Sequence, residues 1–255
     1  MASKNGKTIT IFSTKGGVGK TIFTLNLAAA YHLLGKKVLI IDLDLHSGGI
    51  ALSLNVDQTK DIYNLVDDLN NNRYTEFKDY VINYNENIDI LACPKDPRLG
   101  SKIESRYVPI IMANCISRYD VVLIDTNHIL NDINLSALDK SDEILLLLTN
   151  DPIDLKNMKS IIAILKDSEI NNYKIVLNEA VNRNTDVFSV FDIKGIIGNN
   201  IDYSIEESFY IRDIDKYILK GEIVFLNKKM QFKKRKDLDR FKKIALTLAF
   251  EKKGE

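Results

Sequence analysis

The sequence predicts an α/β fold, a doubly wound, mostly parallel sheet with helices on both faces. Three observations carry this. Apolar runs at 8–13, 37–43, 88–92, 120–125, 143–149 and 173–178 recur between longer segments of helical spacing. Most of them are continuous, as in Val38-Leu39-Ile40-Ile41 and Ile144-Leu145-Leu146-Leu147-Leu148, and a strand apolar on both faces is covered on both faces. The first run leads into a glycine-rich turn and then a helical stretch.

In chain order, Thr8-Ile9-Thr10-Ile11-Phe12 forms the first strand and 22–34 the first helix, with Phe23, Leu27, Ala30 and Leu34 on one face and Gly35 as its stop. Between them lies Lys15-Gly16-Gly17-Val18-Gly19-Lys20-Thr21. Three glycines allow positive φ, so the backbone N–H groups from Gly16 to Ile22 converge on an anion at the positive end of the helix. Lys20 is then placed to reach the β- and γ-phosphates, and the Thr21 hydroxyl to ligate Mg²⁺. The common pattern G-x-x-x-x-G-K-[ST] requires glycine at position 14, where Thr14 stands, and a second lysine, Lys15, opens the loop. Taken alone, Lys15 reads as a solvated loop lysine.

In open α/β sheets the ligand sits beyond the carboxyl ends of the strands. The second strand ends in Asp42-Leu43-Asp44, and carboxylates two apart on a strand point to the same side. Such a pair can hold metal-bound water and orient a nucleophilic water, or else cap a turn. The fourth, Tyr119-Asp120-Val121-Val122-Leu123-Ile124-Asp125, puts one acid, Asp125, at its tip within water-mediated reach of Mg²⁺. The sixth ends at Asn178, whose amide matches the N6/N7 edge of adenine or serves a turn. A further helix is expected over 156–166 with Ile161, Ile162 and Leu165 inward, and a last one over 237–249.

Lys-Gly-Gly-x-Gly-Lys-Thr resembles the deviant Walker A motif of the MinD/ParA ATPases, and the resemblance runs from Thr8 to about Phe250. It implies ATP and Mg²⁺ as cofactors and an ATP-dependent homodimer in which Lys15 crosses to the partner's phosphates. It implies catalytic roles for Lys15, Lys20 and Asp44, with Asp44 positioning the attacking water. Nucleotide contacts fall to Gly16, Gly17, Val18, Gly19, Lys20, Thr21, Ile22 and Asn178, and the metal to Thr21, Asp42 and Asp125. The family continues its Walker B strand with prolines; Asn127-His128 follow here, which predicts a looser switch II. The stretch Asp42-Leu43-Asp44-Leu45-His46-Ser47-Gly48-Gly49-Ile50-Ala51-Leu52 is most similar to the CpaE/TadZ pilus-assembly branch, although the amino-terminal receiver-like domain usual there is missing. A cluster ligand in the manner of nitrogenase iron protein would need a cysteine just past the Walker B strand, and none is there.

Composition narrows the rest. At 255 residues, with no Pro/Gly/Ser linker or repeat, the chain is expected to be one P-loop ATPase domain, 1–255. Lys+Arg and Asp+Glu both number 35, so attraction to nucleic acid or membrane must come from a local patch. Cys93 and Cys115 give neither a disulfide framework nor metal spacing, and His46 and His128 lack a third ligand. With no signal-peptide core or bilayer-length apolar run, a cytoplasmic protein is expected, one that can be recruited to a pole or the inner membrane face.

Two carboxyl-terminal features stay open. Leu238, Phe241, Ala245 and Leu248 suit a core-packing helix better than a membrane-docking one, because the tail Glu251-Lys252-Lys253-Gly254-Glu255 is polar. Lys228-Lys229-Met230-Gln231-Phe232-Lys233-Lys234-Arg235-Lys236 is either a solvated face or, less favoured, a contact for DNA, anionic lipid or an acidic partner. The functions that follow are a dimerisation switch for pilus or secretion machinery, a ParA-like DNA-partitioning or MinD-like division-site ATPase, and a nucleotide-binding scaffold with little hydrolysis.

Overall fold

The computed structural model describes residues 6–181 and 187–250, leaving out the side chain of Phe250; the polar tail 251–255 and residues 1–5, read above for a leader, lie outside them. In chain order the elements are β1 (Lys7–Phe12), α1 (Lys20–Leu33), β2 (Val38–Asp42), α2 (Ile50–Ser53), α3 (Ile62–Asn70), β3 (Ile82–Asn83), β4 (Ile88–Leu91), α4 (Pro97–Gly100), α5 (Tyr107–Cys115), β5 (Val121–Asp125), α6 (Asp132–Lys140), β6 (Glu143–Leu148), α7 (Pro152–Asp167), β7 (Tyr173–Asn178), α8 (Val190–Ile197), β8 (Tyr203–Ile205), α9 (Ile214–Ile218), α10 (Lys228–Lys233) and α11 (Arg235–Phe250). The eight strands form one sheet in the order β3-β4-β2-β5-β1-β6-β7-β8, parallel except for β3 against β4.

All six apolar runs are strands. The two strands that the sequence does not announce, β3 and β8, are edge strands of two and three residues, too short for a periodic signal. Strand side chains alternate between the faces as a doubly wound sheet requires. Ile9, Ile11, Ile40, Leu123 and Leu145 pack under α1 and α11, whereas Ile41, Val122 and Ile124 face α3 and α5. Leu146 and Leu148 complete the second face under α7 and α8.

The helix expected over 22–34 begins two residues earlier and stops where Gly35, at φ 71°, supplies the left-handed turn. In α7, Ile161, Ile162 and Leu165 are buried as expected. So are Leu238, Phe241, Ala245 and Leu248 of α11, which make it a core helix. Its Phe241 ring lies 5.1–5.3 Å from those of Phe23, Phe209 and Phe225. No helix among the described residues is long and apolar enough to cross a membrane.

Candidate functional site

The carboxyl ends of β1, β2, β5 and β7 meet around the glycine-rich loop. Gly17 and Gly19 hold φ of 77° and 88°, which turns the backbone before α1 in a way a side chain would oppose. A Cβ at Gly19 would also stand 2.9 Å from Asn178 Nδ2. Lys20 Nζ donates to Ser13 Oγ at 2.8 Å, and Ser13 Oγ donates to the Lys15 carbonyl at 2.9 Å. Burial holds the Lys20 pKa below the ordinary lysine value, opposed by the charges of Asp125, Asp44 and Asp154.

Thr14, the departure from the common motif, is tied down. Its Oγ1 donates to Asp154 Oδ1 at 2.8 Å, while Asp154 Oδ2 accepts from Thr149 N and Thr149 Oγ1 at 2.8 and 2.9 Å. The hydroxyl therefore anchors the loop's start to α7 where glycine would leave it free. Desolvation raises the pKa of Asp154.

Thr21 and the two strand-end acids converge. Thr21 Oγ1 donates to Asp125 Oδ2 at 2.7 Å, and Thr24 Oγ1, one turn along α1, to Asp125 Oδ1 at 3.1 Å. Asp42 and Asp125 are register partners on adjacent strands, both buried. Burial pushes the Asp42 carboxyl up to about 8, with repulsion from Asp125 adding to it, and burial pushes Asp125 up to about 6. Two buried acids beside a hydroxyl and the loop lysine form a place where a divalent cation relieves electrostatic strain. Among the described residues no cluster of three or more His, Cys, Asp or Glu could cage a metal. Mg²⁺ prefers few protein ligands and completes its shell with water and phosphate. Thr21 and Asp125 are the groups that would hold it.

Asp42 has a second task. Its oxygens accept from Asp44 N and Ile50 N, both at 3.1 Å, and so pin the loop 43–49 to the sheet. Asp44 lies on that loop, part-exposed, accepting from Ser47 N at 3.1 Å. The looseness expected of switch II at Asn127-His128 is offset by an Asx turn, since Asn127 Oδ1 accepts from Ile129 N at 2.9 Å and from Asn134 Nδ2 at 2.7 Å. A Cβ on Gly16 would stand 3.6 Å from His128 Nδ1, so this imidazole lies over the loop.

Lys15 is not a free solvated lysine. Its Nζ pairs with Asp151 Oδ2 at 2.8 Å, and Asp151 also caps α7 through Ile153 N and Asp154 N. Asn178 is likewise engaged, its Nδ2 donating to the Val18 carbonyl at 2.9 Å and its Oδ1 accepting from Ala180 N at 3.1 Å. One donor and one lone pair remain. Beside it opens a cavity of about 240 Å³ with an apolar wall of Ile22, Phe23, Phe209, Tyr210 and Ile211. Sequence reasoning missed Thr24, legible as the residue one turn beyond Thr21, and Asp154, three residues past the cap of α7. The wall at 209–211 is irregular and carries no periodic signal.

The chain has known relatives. A family model described as an AAA domain matches residues 6–177. An iron-sulfur cluster carrier protein of Methanocaldococcus jannaschii is 50% identical over 58 residues, which are 23% of this chain and 20% of that protein. A MinD-type septum site-determining protein of Oltmannsiellopsis viridis is 25% identical over 232 residues, 88% of this chain and 71% of that one. Among solved structures, a ParA family ATPase from Chlorobium tepidum superposes with a TM-score of 0.81 at 20% identity, covering 94% of this chain and 98% of its own. MinD of Pyrococcus horikoshii, solved in complex with Mg-ADP, gives 0.77 at 24% identity, covering 95% and 96%. These two show the shared fold, and with the family match over most of its length the chain belongs to the MinD/ParA family of P-loop ATPases.

Proposed function

We propose that this chain is an ATP-driven switch: it binds ATP with Mg²⁺ at the glycine-rich loop, pairs with a second copy across that face, and hydrolyses ATP to separate. The observation that carries it is the 2.7 Å contact between Thr21 and Asp125, which joins the loop and the strand-end acid into one metal-binding corner. Backbone N–H groups of Gly16 to Ile22 and the Lys20 ammonium receive the phosphates, and the wall at Phe23 and Phe209 receives the base. Bound Mg²⁺ supplies charge neutralisation at the phosphates. Asp44, on a loop pinned by Asp42, orients and takes a proton from the attacking water.

Lys15 supplies the coupling between copies. Released from Asp151, it reaches outward from the loop, and a charge-assisted bond to a partner's phosphate contributes about 1.5–3 kcal/mol. That is one to two decades in dimer affinity at about 1.4 kcal/mol per decade. Sedimentation with ATP tests this: Lys15→Ala should weaken the dimer by that factor while nucleotide binding persists, and an unchanged dimer overturns the reading. Phosphate release abolished by Asp44→Ala removes the scaffold alternative.

The switch serves to position a cellular component. A pilus or secretion machine is supported by residues 42–52 alone, whereas relatives bearing septum-site and chromosome-partitioning names favour division or partitioning cargo to the same degree. Co-purification from cells under ATP decides among them.

A further inference from the structure

We propose that His128 is a phosphate-contacting residue: its imidazole donates a hydrogen bond to the terminal phosphate of ATP held in the glycine-rich loop. The inference rests on the reading of that loop as an ATP site and adds a group to it. His128 is exposed and follows Asp125, the tip of β5, by three residues. A Cβ on Gly16 would stand 3.6 Å from its Nδ1 and 3.7 Å from its Cε1, so the ring edge that carries Nδ1 stands against the loop. Among the described residues neither ring nitrogen has a hydrogen-bond partner. The backbone beneath the ring is firmly held. Thr126 Oγ1 donates to the Ile11 carbonyl at 2.7 Å, Ile129 N to Asn127 Oδ1 at 2.9 Å, and Asn134 Nδ2 to Asn127 Oδ1 and the Ile129 carbonyl at 2.7 and 2.8 Å. Asn134 is fully buried, and in making those two bonds it leaves its own Oδ1 without a partner among the described residues. An unpaired buried oxygen costs stability, and a turn with no further task gives no reason to bear it.

The place of the ring fixes which phosphate it meets. The apolar cavity beside Asn178 is lined by Gly17, Gly19 and Ile22. Lys20 Nζ instead donates to Ser13 Oγ, which donates to the Lys15 carbonyl, next to Gly16. A nucleotide with its base in the cavity therefore runs its phosphates along the loop towards Lys20 Nζ, Ser13 and Gly16, and its last phosphate comes to rest beside His128. A neutral imidazole carries one N–H in either tautomer, so the contact asks for no change of charge on the ring. Proline at this position would have no N–H to give. The bond forms only when a third phosphate is present, so it holds ATP and not ADP. Through Asn127 and Asn134 the same turn is joined to α6, which ties that helix to the nucleotide state.

The test is calorimetric titration of the full chain, in the presence of Mg²⁺, with ADP and with the non-hydrolysable ATP analogue AMPPNP. His128→Phe keeps a ring over Gly16 and removes the donor. It should lower AMPPNP affinity about ten- to a hundredfold and leave ADP affinity unchanged, which also shows that the variant is folded. His128→Gln keeps an N–H at similar reach and should restore most of the loss. Equal losses for ADP and AMPPNP, wild-type AMPPNP affinity in the Phe variant, or a Gln variant no better than Phe would each overturn the proposal. Lys20→Ala marks the difference from failure of the site itself. If the unaltered chain binds neither nucleotide, or if Lys20→Ala binds both as well as it does, the ATP reading falls and His128 with it. If the unaltered chain binds both, Lys20→Ala binds neither and His128→Phe changes nothing, only the role of His128 is lost.

Discussion

Lys15 Nζ stands 2.8 Å from Asp151 Oδ2, so the lysine that would serve a second copy is held by its own chain. The pair is part-exposed, and pairs of that kind contribute about 0–1 kcal/mol. Asp151→Asn keeps an acceptor for the α7 cap while removing the charge. Urea unfolding should shift by less than about 1 kcal/mol, and ATP-dependent dimerisation should strengthen by up to about fivefold. A weaker dimer in sedimentation would show that Asp151 assists the contact instead.

The buried acids set a pH dependence whose sign is opposite to that of most carboxylates. Asp42 and Asp125 are raised to about 8 and about 6 by burial, so the folded chain holds more protons than the unfolded one. Without nucleotide and metal, stability should therefore be greatest near the unfolded carboxylate pKa and fall as pH rises through about 6 and towards about 8. Asp125→Asn should flatten that decline and stabilise the free chain at high pH by about 1–3 kcal/mol, at about 1.4 per unit. Chemical denaturation across pH reads the slope, and a rise in stability over that range would contradict it.

Gly48 lies where the loop 43–49 touches the acids. A Cβ there would stand 2.3 Å from Cys93 Sγ, 2.6 Å from Asp42 Oδ2 and 2.7 Å from the Asp44 carbonyl oxygen. The last of these is backbone and cannot swing aside. Gly48→Ala should cost about 1–3 kcal/mol in urea unfolding and displace Asp44, slowing phosphate release more than it weakens ADP binding.

Asn178→Ala separates two roles. If the amide only braces the loop through Val18, affinities for ATP and GTP should fall alike, by about tenfold for a buried bond near 1.4 kcal/mol. If its free donor and lone pair also read adenine, ATP should lose more than GTP. Calorimetric titration of both nucleotides distinguishes them.

Phe241→Ala tests α11 as a core element. Its ring meets three others, so truncation should cost about 3–5 kcal/mol, far more than loss of a surface-facing residue. A change below about 1 kcal/mol would return α11 to the surface.

The sequence by itself determined the six inner strands of the sheet and which polar residues stand at their ends. Continuous apolar runs need covering on both faces, and Lys20, Thr21, Asp42, Asp44 and Asp125 each sit at a fixed offset from such a run, so local pattern places them. Tertiary structure alone decided what those groups touch. Lys15 meets Asp151 and Thr14 meets Asp154 because α7 begins beside the loop, more than a hundred residues away in sequence. The apolar wall at Phe209 and Tyr210 and the exposure of Phe232 have the same origin. Periodicity records which face of an element is apolar, but which distant element arrives to cover it is settled only by packing.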